Sequence, residues 1–356
     1  MKKIFIAALL FCLTIFSFGC NSGAGITFGN RWNSGNAPSV LSSETIKYEV
    51  TYSDSYKEGD YNYSKTAGKQ DVIDYVYGTG EYTVNLSVYN ASKSLPCGES
   101  EIIDELLSKE DQLIYRLETE FSIPVSFRLT EEDEYTVVTD TIKTDCFFLK
   151  SDSTFSPIYA AGKNVSTLFY NGVKNTAARS AYSYKNVYNK NQYTVTKSEL
   201  NAQTDEVVSV VENTYKYEVG KLVDNDSLLF VLRNSSVKIN NSVSLSTVAA
   251  AYGVSERLTS KYISDTTGNF DVNYKGEQKS GESQLKVLSL NMSGTQGCTS
   301  NYFTGKPQLI YLQKEADSVI SADRSVMMRY VEPLTVYGSY KVLGALVFNV
   351  KSISFN

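Results

Sequence analysis

Apolar and polar residues alternate along much of the chain beyond residue 43. Ile46, Tyr48, Val50 and Tyr52 are separated by Lys47, Glu49 and Thr51, and Tyr82, Val84, Leu86 and Val88 by Thr83, Asn85 and Ser87. A period of two puts alternate side chains on opposite faces of an extended chain, so these segments are expected to be half-buried β-strands. The same pattern predicts strands over 113–129, interrupted at Pro124, and over 135–149, 193–200, 207–219, 285–292, 308–313, 326–331 and 343–355. Gly78-Thr79-Gly80, Asn171-Gly172, Asn240-Asn241 and Thr267-Gly268-Asn269 supply turn residues between them. Only 6 prolines occur in 356 residues, so little prevents long ladders of hydrogen bonds.

Two segments follow a helical period instead. Residues 101–109 place Ile102, Ile103, Leu106 and Leu107 at helical spacing behind Ser100, a suitable N-cap. Residues 224–234 carry Asp226 as the expected cap, then Leu228, Leu229, Phe230, Val231 and Leu232, with Arg233 placed to favour the C-terminal end of the dipole. Leu228, Leu229, Phe230 and Leu232 are too apolar for a surface helix, so this segment is expected to pack on the sheet. The expected fold is mainly β, a large antiparallel sheet with one or two short helices on it. No internal repeat of fixed period is visible.

The first residues depart from both patterns. Met1-Lys2-Lys3 is positive and 4–18 is an almost unbroken apolar run, too short to span a bilayer comfortably and suited to a secretory signal peptide. The following Gly19-Cys20 resembles the lipobox of bacterial lipoproteins, in which diacylglycerol is attached to the cysteine thiol after cleavage just before it. Ser17 and Phe18 depart from the usual residues there. The resemblance implies a signal peptide over 1–19, lipidation (with palmitate-type chains) at Cys20, and a membrane-anchored lipoprotein on the extracytoplasmic side of a bacterial cell envelope. Residues 20–42, rich in Gly, Asn and Ser, read as a flexible tether, and 43–356 as a single large β domain. Phe28 and Trp32 in the tether could dock on the folded body or sit in the membrane interface.

Composition then narrows the chemistry. The chain is 42% apolar and 12% aromatic, ample for a core, and its net charge of -5 argues against a nucleic-acid grip, which needs a basic stripe. It contains no histidine, which removes the commonest general base and metal ligand and every Ser-His or Cys-His nucleophile. Of five cysteines, Cys12 leaves with the leader and Cys20 is the lipid acceptor; Cys97, Cys146 and Cys298 remain, enough for one disulfide and an unpaired thiol, with no CxxC pattern. Cys146 sits in an alternating segment and reads as a buried thiol.

The remaining motifs are weak. Ser235–Lys238 and Ser283–Lys286 both fit S-x-x-K, but no S-x-N element follows in the required order. Glu131-Glu132-Asp133-Glu134 could serve a carboxylate hydrolase or a cation, and reads more simply as a solvated turn. Asp224-Asn225-Asp226 begins like a calcium loop and lacks its glycine. Tyr56, Tyr61, Tyr63, Tyr75, Tyr77, Tyr82 and Tyr89 form one tyrosine-rich stretch, and Tyr182, Tyr184, Tyr188 and Tyr193 a second. They could bind glycans or another protein if exposed, or suit half-buried strands. No catalytic residue, metal site or cofactor is expected.

A second resemblance rests on three segments. Asp224-Asn225-Asp226-Ser227-Leu228-Leu229-Phe230-Val231-Leu232-Arg233 resembles the short helix of envelope proteins built on the lipoprotein-carrier (LolA/LolB-like) half-barrel. Ala322-Asp323-Arg324-Ser325-Val326-Met327-Met328-Arg329, followed by Gly338-Ser339 and the strand over 345–350, is similar to their penultimate hairpin, and Tyr48-Glu49-Val50-Thr51-Tyr52 to their opening strand. The resemblance implies a curved antiparallel sheet, a half-barrel, wrapped around a helical plug with an apolar cavity between them, and no catalytic residues. The function expected is a lipid-anchored binding protein holding an apolar ligand or a lipoprotein partner. The alternative is a surface-interaction lipoprotein that uses a Tyr-rich face for glycan or protein; a carboxylate-only hydrolase is a third reading.

Overall fold

The computed structural model describes residues 43–69, 71, 74–88, 114–150, 155–170, 177–189, 191–217, 222–233, 238–249, 254–293, 306–321, 325–337 and 339–355. The leader and tether expected over 1–42, with Cys20, Phe28 and Trp32, lie outside them, as do the helix expected over 101–109, Tyr89, Cys97, Cys298 and the Ser235-Ser236 pair.

The first half of the described chain forms β1 (Ser43–Ser53), β2 (Lys57–Glu58), β3 (Tyr61–Asn62), β4 (Asp74–Tyr77), β5 (Gly80–Val88), β6 (Ile114–Arg128), β7 (Thr136–Lys150), β8 (Phe155–Phe169) and β9 (Ala177–Tyr188). The second half forms β10 (Gln192–Leu200), β11 (Val207–Lys216), β12 (Leu222–Asp224), the helix α1 (Asn225–Leu232), β13 (Ser242–Ala249), β14 (Val254–Tyr274), β15 (Glu277–Ser293), β16 (Gln308–Gln313), β17 (Met327–Thr335) and β18 (Val342–Phe355). Sixteen strands join one sheet in the order β11-β10-β9-β8-β7-β6-β5-β1-β18-β17-β16-β15-β14-β13-β12, with β4 added beside β6. Nearly all pairings are antiparallel; β12 runs parallel to β13, and the end of β14 runs parallel to β18.

The sheet is curved far enough to bring distant strands together. Tyr188 and Tyr193 of β9 and β10 pack in one buried cluster with Leu222 of β12 and Val248 of β13, although these strands stand at opposite ends of the order. The inner face buries Ile46, Tyr48, Val50, Leu117, Phe148, Leu290, Ile310, Val331 and Phe348 in one core, and α1 contributes Leu228, Phe230 and Leu232 to it. The helix therefore sits inside the curve. Phe230, 3% exposed, lies 5.6 Å from the ring of Phe148 on β7.

Three expectations from the pattern are corrected. β6 passes through Pro124 without a break. On one flank β5 pairs only as far as Ser122 and β4 begins at Val125; between them the Pro124 carbonyl accepts from the Gly78 N–H at 2.9 Å, and no N–H is asked of the proline. Thr267-Gly268-Asn269 is no turn but the middle of β14, paired with Gln284, Ser283 and Glu282. The chain reverses instead at Lys275-Gly276, both with positive φ, as two-residue hairpin turns favour. Third, β8, β9, β13 and β14 are strands where the pattern gave no such expectation. Several of their inward residues are small or polar, such as Ala160, Ala181 and Ser260, so burial leaves no apolar alternation to read.

Candidate functional site

The segment around α1 gathers several buried polar groups. Its N-cap is Asp224, one step earlier than Asp226, with extended backbone and a side chain that accepts the Asp226 N–H at 2.9 Å. Asp224 ends β12 and is 1% exposed, so the cap is made inside the protein. Its other oxygen accepts from Asn186 Nδ2 at 2.9 Å and from the Tyr188 hydroxyl, both on β9. Asp226 accepts from Tyr184 Oη at 2.5 Å. Tyr184 reaches it by lying across Gly162 of β8, where a Cβ would stand 2.4 Å from the hydroxyl, so a side chain there would have to displace the tyrosine. No backbone ladder joins β9 to β12; these carboxylate–tyrosine and carboxylate–amide bonds span that seam.

Burial pushes both aspartates above the ordinary carboxylate range, Asp226 the further because the Asp224 charge adds to the cost of its own ionisation. The donors around Asp224 pull the other way and hold it the more ionised of the two. Tyr184 and Tyr188 are pushed well up by burial and by the same carboxylates, so they stay protonated as donors. Cys146 of β7, fully buried and free, is likewise pushed up by burial and by Asp224 and Asp226, which leaves it a thiol rather than a nucleophile.

Arg233 closes the other end of the helix, but not through the dipole. Its guanidinium binds both oxygens of Glu44 on β1, at 2.5 and 3.2 Å, and donates to the Ser325 carbonyl at 3.2 Å, while lying 5.2 Å over the Phe230 ring. Glu44 is 4% and Arg233 5% exposed, which makes this a buried ion pair. Burial works against the Arg233 charge, and the adjacent Glu44 carboxylate more than offsets it. Tyr48 Oη donates to the Met327 carbonyl at 2.9 Å. The opening strand, the helix and the 325–329 segment thus meet at one place.

Between α1 and the sheet lies a cavity of about 20 Å³, bounded by Ile46, Val84, Leu117, Leu229, Phe230 and Met327, with Tyr48, Tyr82, Thr119, Asp226 and Arg233 completing its wall. That volume suits roughly one water molecule. A larger occupant requires Leu229, half-buried on the helix face, to move.

The other sequence-derived sites fall elsewhere. Glu131–Glu134 form an exposed turn between β6 and β7, where Glu131 pairs with Lys69 at 2.8 Å. Ser283 and Lys286 lie three residues apart on β15, so they point to opposite faces, with Ser283 buried and Lys286 over the Tyr262 ring. Of the tyrosines, Tyr63, Tyr75, Tyr184, Tyr188 and Tyr193 are buried and Tyr56, Tyr61, Tyr77, Tyr82 and Tyr182 partly so. They are core and inner-face residues rather than an exposed panel. Glu44 and Asn186 gave no signal in the sequence, because a single polar residue in a strand reads as solvent-facing. No cluster of three metal-ligating side chains occurs among the described residues, and no described helix is long and apolar enough to cross a membrane.

No protein-family model matches the chain, and no curated protein matches it. Among solved structures, it is similar to the crystal structure of a beta-barrel-like protein of domain of unknown function DUF1849 from Brucella abortus, at 8% identity and a TM-score of 0.43, over 89% of this chain and 98% of that one.

Proposed function

We propose that this protein is a lipid-anchored envelope binding protein that holds an apolar ligand, such as an acyl chain, or the lipid of a lipoprotein partner between α1 and the sheet. One observation carries the reading: an apolar helix, Leu228 to Leu232, lies inside a curved sheet over a cavity whose wall is partly aliphatic, from Ile46, Val84, Leu117 and Leu229. The LolA/LolB-like resemblance supports it, because each of the three segments that carry the resemblance puts a residue on that cavity: Tyr48, Phe230 and Met327. So does the leader ending in Gly19-Cys20, which would tether the body to the membrane from which such a ligand comes. The reading assigns no catalysis: the buried aspartates are held by tyrosines and an asparagine, and Cys146 stays a thiol. Since the cavity admits about one water, loading requires α1 to shift outward, and the carboxylate-bridged seam beside β12 is where the enclosure lacks a backbone ladder. The Tyr-rich surface reading is weaker, because most of those rings are buried or half-buried.

Native mass spectrometry of the chain extracted from membranes tests the reading. The expected result is a bound mass of acyl-chain size, absent from Leu229→Trp, whose indole, larger than the present cavity, would take the space that a shifted α1 opens to a ligand. Wild-type protein that never carries or takes up such a mass under conditions that keep it folded would overturn it.

A further inference from the structure

The sheet ends at β11, and among the described residues no strand pairs with its outer flank. Val207, Val208, Val210 and Val211 are 60, 69, 57 and 51% exposed, so apolar side chains stand in water on both faces of this strand. Edge strands are ordinarily blunted by lysine, proline or inward charge; a valine-rich edge with free N–H and C=O groups is a template for another strand. The valines do not specify which strand, but the charges around them do.

We propose that β11 pairs antiparallel with β11 of a second copy of this chain, about a two-fold axis at Val211. In that register Glu206 stands across from Lys216 at both ends. Val207 faces Tyr215 and Val208 faces Thr214, pairs of the aromatic and β-branched kind that stabilise sheets. The neighbouring registers are worse. Centred on Ser209, Glu206 faces Glu212; centred on Glu212, that carboxylate faces its own copy; centred on Val210, Lys216 faces Thr204. Glu206, Glu212 and Lys216 are all exposed. Within its own hairpin Lys216 lies opposite the uncharged Gln192, and Glu212 accepts from Thr196 Oγ1 at 3.1 Å. Glu206 lies just before β11, beyond the register shift that skips Val208, and its carboxylate also accepts from Thr204 Oγ1 at 3.1 Å; the two long side chains span this one-residue offset.

A two-fold contact of one strand with itself closes on itself, giving a dimer rather than a fibre. One strand from each side supplies less than the ~800 Å² per partner of a stable interface, so the dimer is weak and concentration-dependent.

Sedimentation velocity of the purified full chain over a wide concentration range should show a monomer–dimer transition. Lys216→Glu and Glu206→Lys, each placing like charges across both ends, should raise the dissociation constant about tenfold or more. The double variant Glu206→Lys/Lys216→Glu should restore the wild-type value. Both positions changed in these variants are exposed, and far-UV circular dichroism checks that each variant folds. A chain monomeric at every concentration, as expected if β11 serves a different protein, would overturn the proposal. So would a dimer indifferent to the single reversals, or one that the double reversal does not restore.

Discussion

The two ends of the sheet invert the usual relation between polarity and burial. At one end β12, Leu222–Asp224, is buried throughout, and its aspartate is 1% exposed. At the other end β11 leaves four valines more than half exposed. The difference is one of neighbours. β12 is held inside the curve between β13, α1 and the tyrosines of β9, and the carboxylates of Asp224 and Asp226 there each have donors. β11 lies outside β10, and among the described residues no strand pairs beyond it and its valines stand in water. Polar groups are thus tolerated in the interior where the partners are built in, and apolar groups are left outside where the next layer of this chain is missing.

Breaking the buried end should have the largest effect. Arg233→Ala leaves the Glu44 carboxylate buried beside an empty space and should lower stability by about 3–5 kcal/mol in urea unfolding. The paired change Glu44→Leu/Arg233→Met should cost much less, because it removes both charges together. A single variant close to wild type would show that water reaches Glu44.

Asp224→Ala should come next, at about 2–4 kcal/mol, from the lost helix cap together with the unpaired Tyr188 hydroxyl and Asn186 amide. Asp224→Asn, which keeps an oxygen for the cap, should recover part of this loss in thermal denaturation.

Asp226→Asn sharpens the comparison through pH. Burial and Asp224 raise the Asp226 pKa in the folded state, so above the ordinary aspartate range the folded chain binds a proton that the unfolded chain has released. Stability from this group is full in acid and is lost as pH rises toward the folded-state value. The asparagine variant, which still accepts from Tyr184, should melt like wild type near pH 4 and above it at pH 9. Parallel curves across that range would remove the aspartate pair as the source.

The smallest effect belongs to β11. Val208→Thr, at 69% exposure, should change the stability of the dilute monomer by no more than about 0.5 kcal/mol. A loss of several kcal/mol would mean that the strand is covered within its own chain.

Much of the architecture was legible in the residues themselves. Alternation identified β1, β5, β7, β10 and β15–β18, and an apolar run led by aspartate identified α1. These signals are local: the period of a strand or helix is set by backbone geometry, and burying one face suffices to impress it on the sequence. The order of the strands, the curvature of the sheet and the site were decided only by tertiary structure. Nothing local distinguishes Glu44, which meets Arg233 across 189 positions, from a solvent-facing acid, or Val208 from a core valine. Burial depends on which distant segment arrives to cover a side chain, and whether a carboxylate is a cap, an ion-pair partner or a solvated turn depends on the donors brought to it. Residue type fixed the period and the chemistry available; the long-range contacts decided which of those groups water can reach.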